Sequence, residues 1–267
     1  MSVDVEGLFA AFGELVGKPA MTDSEFGETF RRIMQALVRF DHIVVFAYSG
    51  ADRPIDLYST FDRNDHVVFV ALYQVGPYLL DPFYHTAREQ RGGVFRMREL
   101  APDRFFSSEY YRTYYVKTGL AEEVGFFVTT GDGTTVALSL MRREESGPFS
   151  TAEFALLRKV EPLVAAMVRQ YWAKLAHRFE GAASGERAGG KATGLSLATD
   201  AVWQGLKLSA REAAIVELVL QGHSSESIGL KLGIATGTVK VHRRNVYRKL
   251  GISSQTQLLS IYLKSLI

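Results

Sequence analysis

Four basic residues near the carboxyl end of the chain have the type and spacing to bind DNA. They are Lys240, Arg243, Arg244 and Arg248. At the 3.6-residue period of an α-helix they share one face, and the opposite face carries Val239, Val246 and Leu250. Basic side chains attract backbone phosphates, and Lys and Arg also bind guanine edges in the major groove. The spacing therefore predicts a helix over 238–250, after a turn over 234–237, whose basic face contacts DNA.

Two shorter helices are predicted to support this basic helix. Ser209 can cap the first one, and Glu212, three residues later, can close a capping box. Ser224 can cap the second helix, and Gly233 can end it in the left-handed conformation that glycine tolerates best. Helix, short turn, helix, turn and basic helix in this order predict a helix-turn-helix.

These features are similar to the LuxR-type helix-turn-helix domain of bacterial transcription regulators. The matching residues are 208–212 (Leu-Ser-Ala-Arg-Glu), Gly222, Ile228, 232–234 (Leu-Gly-Ile), 237–242 (Gly-Thr-Val-Lys-Val-His), Asn245 and 248–252 (Arg-Lys-Leu-Gly-Ile). They cover about a quarter of the chain. The resemblance implies an all-α, four-helix domain over 206–267, whose helix 238–250 enters the major groove of double-stranded DNA.

The resemblance and the basic face together imply nine DNA-contacting residues. They are Thr236, Thr238, Val239, Lys240, Val241, Arg243, Arg244, Arg248 and Lys249. Those expected nearest the bases are Lys240, Val241 and Arg244. Those expected nearer the phosphates are Thr236, Thr238, Arg243 and Lys249.

The distribution of charge supports DNA binding over an ordinary solvated face. From Trp203 onward the chain has nine Lys or Arg and three Asp or Glu, a net charge of +6, whereas the remainder carries a net charge of −4. Positive charge is therefore concentrated in the segment that contains the predicted helix-turn-helix. Attraction to phosphates supplies most non-specific affinity for DNA.

Composition predicts a two-domain protein. A length of 267 residues suits two domains, and the glycine-rich stretch 181–194 is typical of a linker. We expect a ligand-sensing domain over 1–178, a flexible linker over 179–205 and the DNA-binding domain over 206–267. The absence of cysteine excludes disulfides, thiolate metal sites and cysteine nucleophiles. Without a long apolar run or a basic start, the chain is expected to be cytoplasmic and to have no membrane partner.

The amino-terminal part alternates between helical and strand periods. Helices are predicted over 25–40, 64–78 and 151–172, and strands over 42–48, 55–61, 123–130 and 134–141. This order predicts an α+β fold, a PAS- or GAF-like α-β-α sandwich with a ligand pocket between the sheet and the helices that pack on it. The long helix 151–172 is expected to be a dimer contact or a signal lever.

Aromatic residues mark the predicted pocket. The segment from Phe69 to Phe127 contains fourteen of the thirty-one Phe, Tyr and Trp residues. Tyr110, Tyr111, Tyr114 and Tyr115 form two i,i+4 pairs on a helix predicted to begin near Ser107. Asp81 precedes a proline and is predicted to cap a helix. The residues predicted to bind the ligand are Tyr48, Tyr73, Asp81, Tyr84, Phe95, Tyr110, Tyr111 and Tyr114.

A second resemblance bears on the ligand. The Asp81-Pro82 pair is similar to an Asp-Pro in the autoinducer-binding domains of quorum-sensing LuxR relatives, in which the carboxylate accepts a hydrogen bond from the ligand amide. Those domains have a tryptophan and a tyrosine upstream, where this chain has Val68 and Leu72. The stretch 81–127 is more similar to the sensor half of orphan LuxR-type regulators. An unidentified small molecule is therefore favoured, with an acyl homoserine lactone as an alternative.

Other features bear on partners and on chemistry. A protein partner that binds an exposed aromatic stripe is a further alternative to a small molecule. An apolar stripe on the last helix predicts a homodimer on a two-fold DNA site, and its members are Leu258, Leu259, Tyr262, Leu263 and Leu266. The adjacent acidic residues Glu122 and Glu123 are expected to be solvated. No nucleophile, base and orienting residue occur together, so we predict no enzyme, no metal site and no cofactor.

Overall fold

The computed structural model of the chain describes residues 3–116, 119–179, 203 and 205–265. The amino-terminal helices are α1 (Val5–Gly17), α2 (Asp23–Leu37), α3 (Arg63–His66), α4 (Tyr73–Val75), α5 (Pro82–Arg88), α6 (Met97–Leu100), α7 (Glu109–Tyr114) and α8 (Thr151–Tyr171). A π-helix spans Val67–Leu72, and 3-10 turns span Pro77–Leu80, Phe105–Ser107 and Glu144–Ser146. The strands are β1 (His42–Tyr48), β2 (Ile55–Ser59), β3 (Gly93–Arg96), β4 (Leu120–Thr129) and β5 (Thr135–Arg143). The carboxyl-terminal helices are α9 (Ala210–Leu220), α10 (Ser225–Leu232), α11 (Thr236–Leu250) and α12 (Gln255–Lys264).

The strands form one antiparallel sheet in the order β2-β1-β5-β4-β3. β1 pairs with β5 along its whole length, from His42 opposite Met141 to Tyr48 opposite Thr135. The four predicted strands are confirmed, and the α+β prediction with them. The edge strand β3 was not predicted, because four residues are too few to display a period of two.

Alternation along the strands builds two apolar layers. Val136, Leu138 and Leu140 of β5 face α1, α2 and α8, where they join the same buried cluster as Phe30 of α2 and Leu157 of α8. The intervening β5 side chains face the opposite side of the sheet. That side is covered by the segment between β2 and β4, which includes the helices α5 and α7.

The helix predicted over 64–78 is broken in the structure. α3 leads into the π-helix, a single turn of α4 follows, and a 3-10 turn begins at Pro77. The break at Gly76 has a clear cause, since the ring of Pro77 disfavours a helical conformation at the preceding residue. The π-helix has more residues per turn than an α-helix, so the positions after it are rotated relative to those of a continuous α-helix.

The carboxyl-terminal helices follow the predicted capping pattern. Ser209 and Glu212 form a capping box, Ser224 accepts a hydrogen bond from Ser227 N, and Gly233 has a φ of +64°. The basic helix α11 begins at Thr236, two residues earlier than predicted. Ala235 takes the extended N-cap conformation, so the second half of the predicted turn over 234–237 is helical.

The helix-turn-helix packs directly against the amino-terminal part of the chain, residues 3–179, which we call the sensor part. Arg104 N donates a hydrogen bond to Gly222 O at 2.8 Å, and Ser224 N donates one to Asp103 Oδ1 at 2.9 Å. Gly222 has a φ of +94°, and a Cβ added there would lie 2.6 Å from Phe105 Cα. A side chain at position 222 is thus excluded by both the backbone conformation and the close approach of the sensor part.

Three members of the predicted apolar stripe of α12 are buried inside the chain, contrary to our expectation. Leu258, Leu259 and Tyr262 are 0 %, 4 % and 1 % exposed, and the ring of Tyr262 stacks on Trp203 at 5.4 Å. α12 contacts α7 of the sensor part as well as α9. Leu258, Leu259 and Tyr262 are therefore covered within one chain and are not available to a second one, and Leu263 is half-buried. Leu266 lies outside the described residues, as do 180–202 and 204 of the predicted linker.

No helix among the described residues has both the length and the apolar character needed to span a bilayer.

Candidate nucleic-acid interface and sensor cavity

Two valines anchor the basic helix α11. Val239 and Val246 are both 0 % exposed and belong to the apolar cluster that contains Ile215 of α9 and Ile228 of α10. Full burial of a valine side chain stabilises a fold by about 1.5 kcal/mol or more. The prediction that Val239 contacts DNA is wrong, because a fully buried side chain cannot reach a base.

The opposite face of α11 is exposed. Lys240, Arg244 and Arg248 are exposed, and Val241 between them is 43 % exposed. Arg248 donates a hydrogen bond to Asn245 Oδ1 at 3.0 Å, which holds its guanidinium close to the helix. This face presents three cations and one apolar side chain, a combination that can bind phosphates, base edges and a thymine methyl group.

Two of the residues predicted to contact phosphates have partners within the protein. Arg243 Nη1 donates a hydrogen bond to Ser225 Oγ at 3.1 Å, and Lys249 Nζ lies 2.6 Å from Glu212 Oε2. The hydrogen bond from Lys249 lowers the pKa of Glu212. The same carboxylate accepts a hydrogen bond from Ser209 N, so Glu212 closes its capping box and ties α11 to α9.

A groove of about 660 Å³ separates the start of α11 from the sensor part. Thr236, Lys240 and Arg243 line one wall, and Asp103 and Arg104 line the other. Its position depends on the docking of Gly222 against Phe105, which sequence reasoning cannot foresee, because that contact joins segments more than a hundred residues apart.

A cavity of about 40 Å³ lies between the sheet and the helices of the sensor part. Five of the eight predicted ligand-binding residues line it, namely Tyr48, Tyr73, Asp81, Tyr110 and Tyr114. The other three lie outside the lining. Tyr84 is buried with its ring 5.9 Å from Tyr48, Phe95 packs against Phe127 at 6.1 Å, and Tyr111 stacks on Tyr115 at 5.2 Å.

The tyrosine stripe follows the predicted pairing, but it is not an exposed patch. The rings of Tyr110 and Tyr114 are 5.1 Å apart. Tyr110 is 2 % exposed and Tyr115 is 9 % exposed, and the other two rings are half-buried. The stripe forms a wall between the cavity and Phe105, so it does not provide the exposed surface required by the protein-partner alternative.

Asp81 caps a helix and also faces the cavity. Its Oδ1 accepts a hydrogen bond from Phe83 N at 2.8 Å, which confirms the predicted cap of α5. The Tyr73 hydroxyl lies 3.0 Å from that of Tyr48, and both tyrosines line the cavity. Burial raises the pKa of Asp81 despite the hydrogen bond from Phe83 N. Asp81 and these two tyrosines thus place buried polar groups around the cavity.

Glu123 is a cavity residue that sequence reasoning missed. It lies on β4, is 5 % exposed, and accepts a hydrogen bond from the Tyr115 hydroxyl at 3.0 Å. Burial and the charge of Asp81 raise the pKa of Glu123. The expectation that Glu122 and Glu123 are solvated is wrong, because the Glu122 side chain is only 9 % exposed and forms an ion pair with Arg96. Strand alternation places Glu123 on the same face as Phe127, and this alternation was the sequence signal for the burial of Glu123.

Comparisons with known proteins agree with this geometry. Residues 206–262 match the family model of bacterial regulatory proteins, luxR family. A protein of Aeromonas salmonicida described as an HTH-type transcriptional regulator in the exeN 3′ region is 34% identical over 191 residues, which are 70% of this chain and 95% of that protein. YhjB, described as an HTH-type transcriptional regulator of Escherichia coli (strain K12), is 44% identical over 50 residues, 19% of this chain and 25% of that protein.

The sensor part has a similar solved structure. The crystal structure of the VqsR LBD domain from Pseudomonas aeruginosa aligns with a TM-score of 0.51 at 23% identity. The alignment covers 61% of this chain and 93% of the VqsR chain. At this level of identity the match concerns the fold. It agrees with the α-β-α sandwich formed by α1, α2 and α8, the sheet, and the layer that contains the cavity.

Proposed function

The chain belongs to the LuxR family of bacterial regulatory proteins, and on that premise we propose that it is a ligand-responsive transcriptional regulator that acts as a homodimer. Its relatives are transcription regulators and not enzymes. In this proposal the sensor cavity binds a small molecule and α11 reads the major groove of double-stranded DNA.

One observation carries the link between sensing and DNA binding. The residues around the cavity and the core of the helix-turn-helix belong to one contiguous apolar cluster, which includes Tyr110, Phe105, Ile215 and Val246. Because packed side chains transmit displacement, a ligand that moves α7 also changes the contact between Phe105 and Gly222. A ligand changes the affinity for DNA only to the extent that it binds one arrangement of the sensor part and the helix-turn-helix more tightly than another.

The proposed DNA contacts are the predicted set without Val239. Lys240, Val241 and Arg244 are proposed for base edges, and Arg248 and Thr238 for phosphates, because all five are exposed. Thr236, Arg243 and Lys249 are retained as phosphate contacts. For Arg243 and Lys249, binding would compete with the hydrogen bonds to Ser225 and Glu212.

The cavity must enlarge to take a ligand. Its volume of about 40 Å³ is far below the roughly 300–1,000 Å³ of ordinary ligand pockets. Val68 and Phe69 of the π-helix form part of its wall, and both are only half-buried. Val67 and Leu72 of the same segment are 49 % and 48 % exposed. We expect this segment to move outward when a ligand enters, since it has the least apolar cover of the walls.

The surface we propose for dimerisation is on α8. Leu156, Val160 and Leu163 follow one another at helical spacing, and Leu163 is 40 % exposed while the other two are half-buried. They form an apolar stripe on the outside of the sandwich. A second copy of α8 would cover it and place two α11 helices on a two-fold DNA site.

Selection of binding sites from random DNA by the full-length protein tests this function. The proposal predicts enrichment of a sequence with two-fold symmetry, and a dimer mass when the complex is measured by non-denaturing mass spectrometry. Small molecules released on denaturation identify the ligand. Failure to enrich any sequence, or enrichment of an asymmetric half-site by a monomer, would contradict the proposal.

A further inference from the structure

If the chain senses a small molecule, as proposed, two buried carboxyl groups restrict the chemical class of that molecule. Asp81 and Glu123 are 6 % and 5 % exposed, and both line the cavity. No Lys, Arg or His is among the described residues that line it. The carboxylates are hydrogen-bonded only to neutral groups, among them Phe83 N and the Tyr115 hydroxyl. Burying negative charge without a counter-ion is costly, so the pair needs either a proton or a cation from outside the chain.

The walls around these carboxylates suit an organic cation. Eight of the fifteen lining residues are Phe or Tyr. The face of an aromatic ring attracts an ammonium group, and the attraction is strongest where water is excluded. The remaining walls are mainly aliphatic, with Val44, Leu120 and Met141 among them. An anionic ligand would meet no compensating charge there.

Tyr110 provides a second, independent observation. It is 2 % exposed and lines the cavity, and its hydroxyl makes no hydrogen bond to any described residue. Buried tyrosine hydroxyls normally have a partner. A polar substituent on the ligand would supply one. The hydroxyls of Tyr48, Tyr73 and Tyr115, in contrast, are already hydrogen-bonded within the protein.

We propose that the cavity binds an organic cation, an amine or quaternary ammonium compound with a small apolar body, whose charge is held by Asp81 and Glu123 and whose polar substituent meets Tyr110. The aromatic rings surround the cationic head, and the two carboxyl groups lie against it.

Matched pairs of probes test the charge requirement in the full-length protein. Choline and 3,3-dimethyl-1-butanol have nearly the same shape but only choline is charged, and 2-phenylethylamine and 2-phenylethanol form a second pair. Thermal unfolding with millimolar probe should show stabilisation by the cations, and calorimetry should give affinities at least about tenfold tighter than for the neutral partners. An N-acyl homoserine lactone, which is uncharged and belongs to another chemical class, serves as a further comparison.

Substitutions of the two carboxyl groups test whether the cation binds beside them. Glu123→Gln and Asp81→Asn keep the shape of each side chain, and asparagine also keeps the helix cap. Each should remove the preference for the cation, while Glu145→Gln, an exposed site on the same domain, should leave it unchanged. As a second readout, calorimetry in buffers of different ionisation enthalpy should detect proton release when choline binds near neutral pH, and the release should be smaller in Glu123→Gln.

The outcomes separate the ligand class from the sensor function. Stabilisation by the neutral partners or by the lactone, with no response to the cations, would leave a ligand-sensing regulator and overturn the cationic class. Equal cation binding by wild type and by Glu123→Gln and Asp81→Asn would also overturn it. If neither class stabilised the protein or changed its DNA affinity, both the class and the proposed sensor function would be contradicted.

Discussion

At the scale of single residues, the exposed cations of α11 are separated from those that stabilise the fold. Lys240 and Arg244 are exposed and make no ion pair to a described residue, whereas Lys249 pairs with Glu212. Removing an exposed cation should therefore affect DNA binding, and removing a paired one should also affect folding. An exposed ion pair contributes only about 0–1 kcal/mol, so the folding effect of losing Lys249, whose side chain is 48 % exposed, should be small.

The double variant Lys240→Ala, Arg244→Ala should lose sequence preference and keep its fold. Each base contact contributes about 1–3 kcal/mol of discrimination, so the loss of two should remove most of the preference for specific over random DNA. Fluorescence anisotropy with specific and random DNA measures this difference. Lys264→Ala, an exposed lysine on α12, is the matched control. Unchanged affinity and specificity in the double variant would exclude α11 as the reading helix.

Glu123 should make the stability of the unliganded protein depend on pH. Its pKa is raised in the folded state. The contribution of Glu123 to the free energy of unfolding is therefore fully present below the unfolded-state pKa, about 4.3. That contribution is lost as the pH rises through the higher folded-state pKa. Denaturant unfolding from mildly acid to alkaline pH should therefore show a fall in the free energy of unfolding that is smaller in Glu123→Gln. An identical fall in both proteins would show that Glu123 is ionised in the folded state throughout.

Residue types predicted some of these roles and could not predict others. The capping roles of Ser209, Ser224 and Asp81 were predictable because capping depends on sequence neighbours. The pairing of Lys249 with Glu212 joins residues 37 positions apart, and no local pattern encodes it. Glu123 was missed because its acidic neighbour suggested solvent, while strand alternation sends the two side chains to opposite faces.

At the scale of elements, the contact between Gly222 and Phe105 fixes the helix-turn-helix against the sensor part. Gly222→Ala should weaken this docking, because the added Cβ would lie 2.6 Å from Phe105 Cα. Gly251→Ala is the matched control, since its φ is +65° and nothing lies within 4 Å of the added Cβ. Both variants bear the strain of a left-handed alanine, about 1 kcal/mol. Only Gly222→Ala should increase the radius of gyration measured by small-angle scattering, and only this variant should be cleaved faster by proteases between the two domains. Equal behaviour of the two variants would refute the docking.

The stripe on α8 gives a second prediction at this scale. Leu163→Glu should dissociate the proposed dimer, because a charge would be buried in an apolar interface. Arg158→Glu lies about 140° around the same helix and should leave the dimer intact. Sedimentation equilibrium of both variants measures the dissociation constant. A Leu163→Glu protein that remains as dimeric as wild type would place the dimer contact elsewhere.

Element boundaries were predictable where local chemistry sets them. β1 was predicted with its observed ends because its apolar β-branched run is bounded by Asp41 and Gly50. The break in the helix over 64–78 was not predicted, although Pro77 was a visible signal. The burial of the α12 stripe against Trp203 and α7 depends on tertiary packing, and a stripe alone does not reveal which surface covers it.

At the scale of the whole molecule, one apolar cluster joins the cavity to the reading domain. The two sites can therefore be coupled through packing without a dedicated signalling residue. Coupling is reciprocal: a ligand that changes DNA affinity must itself bind with a different affinity when DNA is present. This reciprocity can be measured before the ligand is identified.

The most direct test is non-denaturing mass spectrometry of the full-length protein, purified with its natural small-molecule complement and measured with and without its selected DNA site. We predict a dimer that carries a small molecule, with an occupancy that differs between the free and the DNA-bound protein. An occupancy that is the same in both states, or a DNA-bound dimer whose affinity is unchanged when the small molecule is removed, would contradict the account of a ligand-responsive regulator.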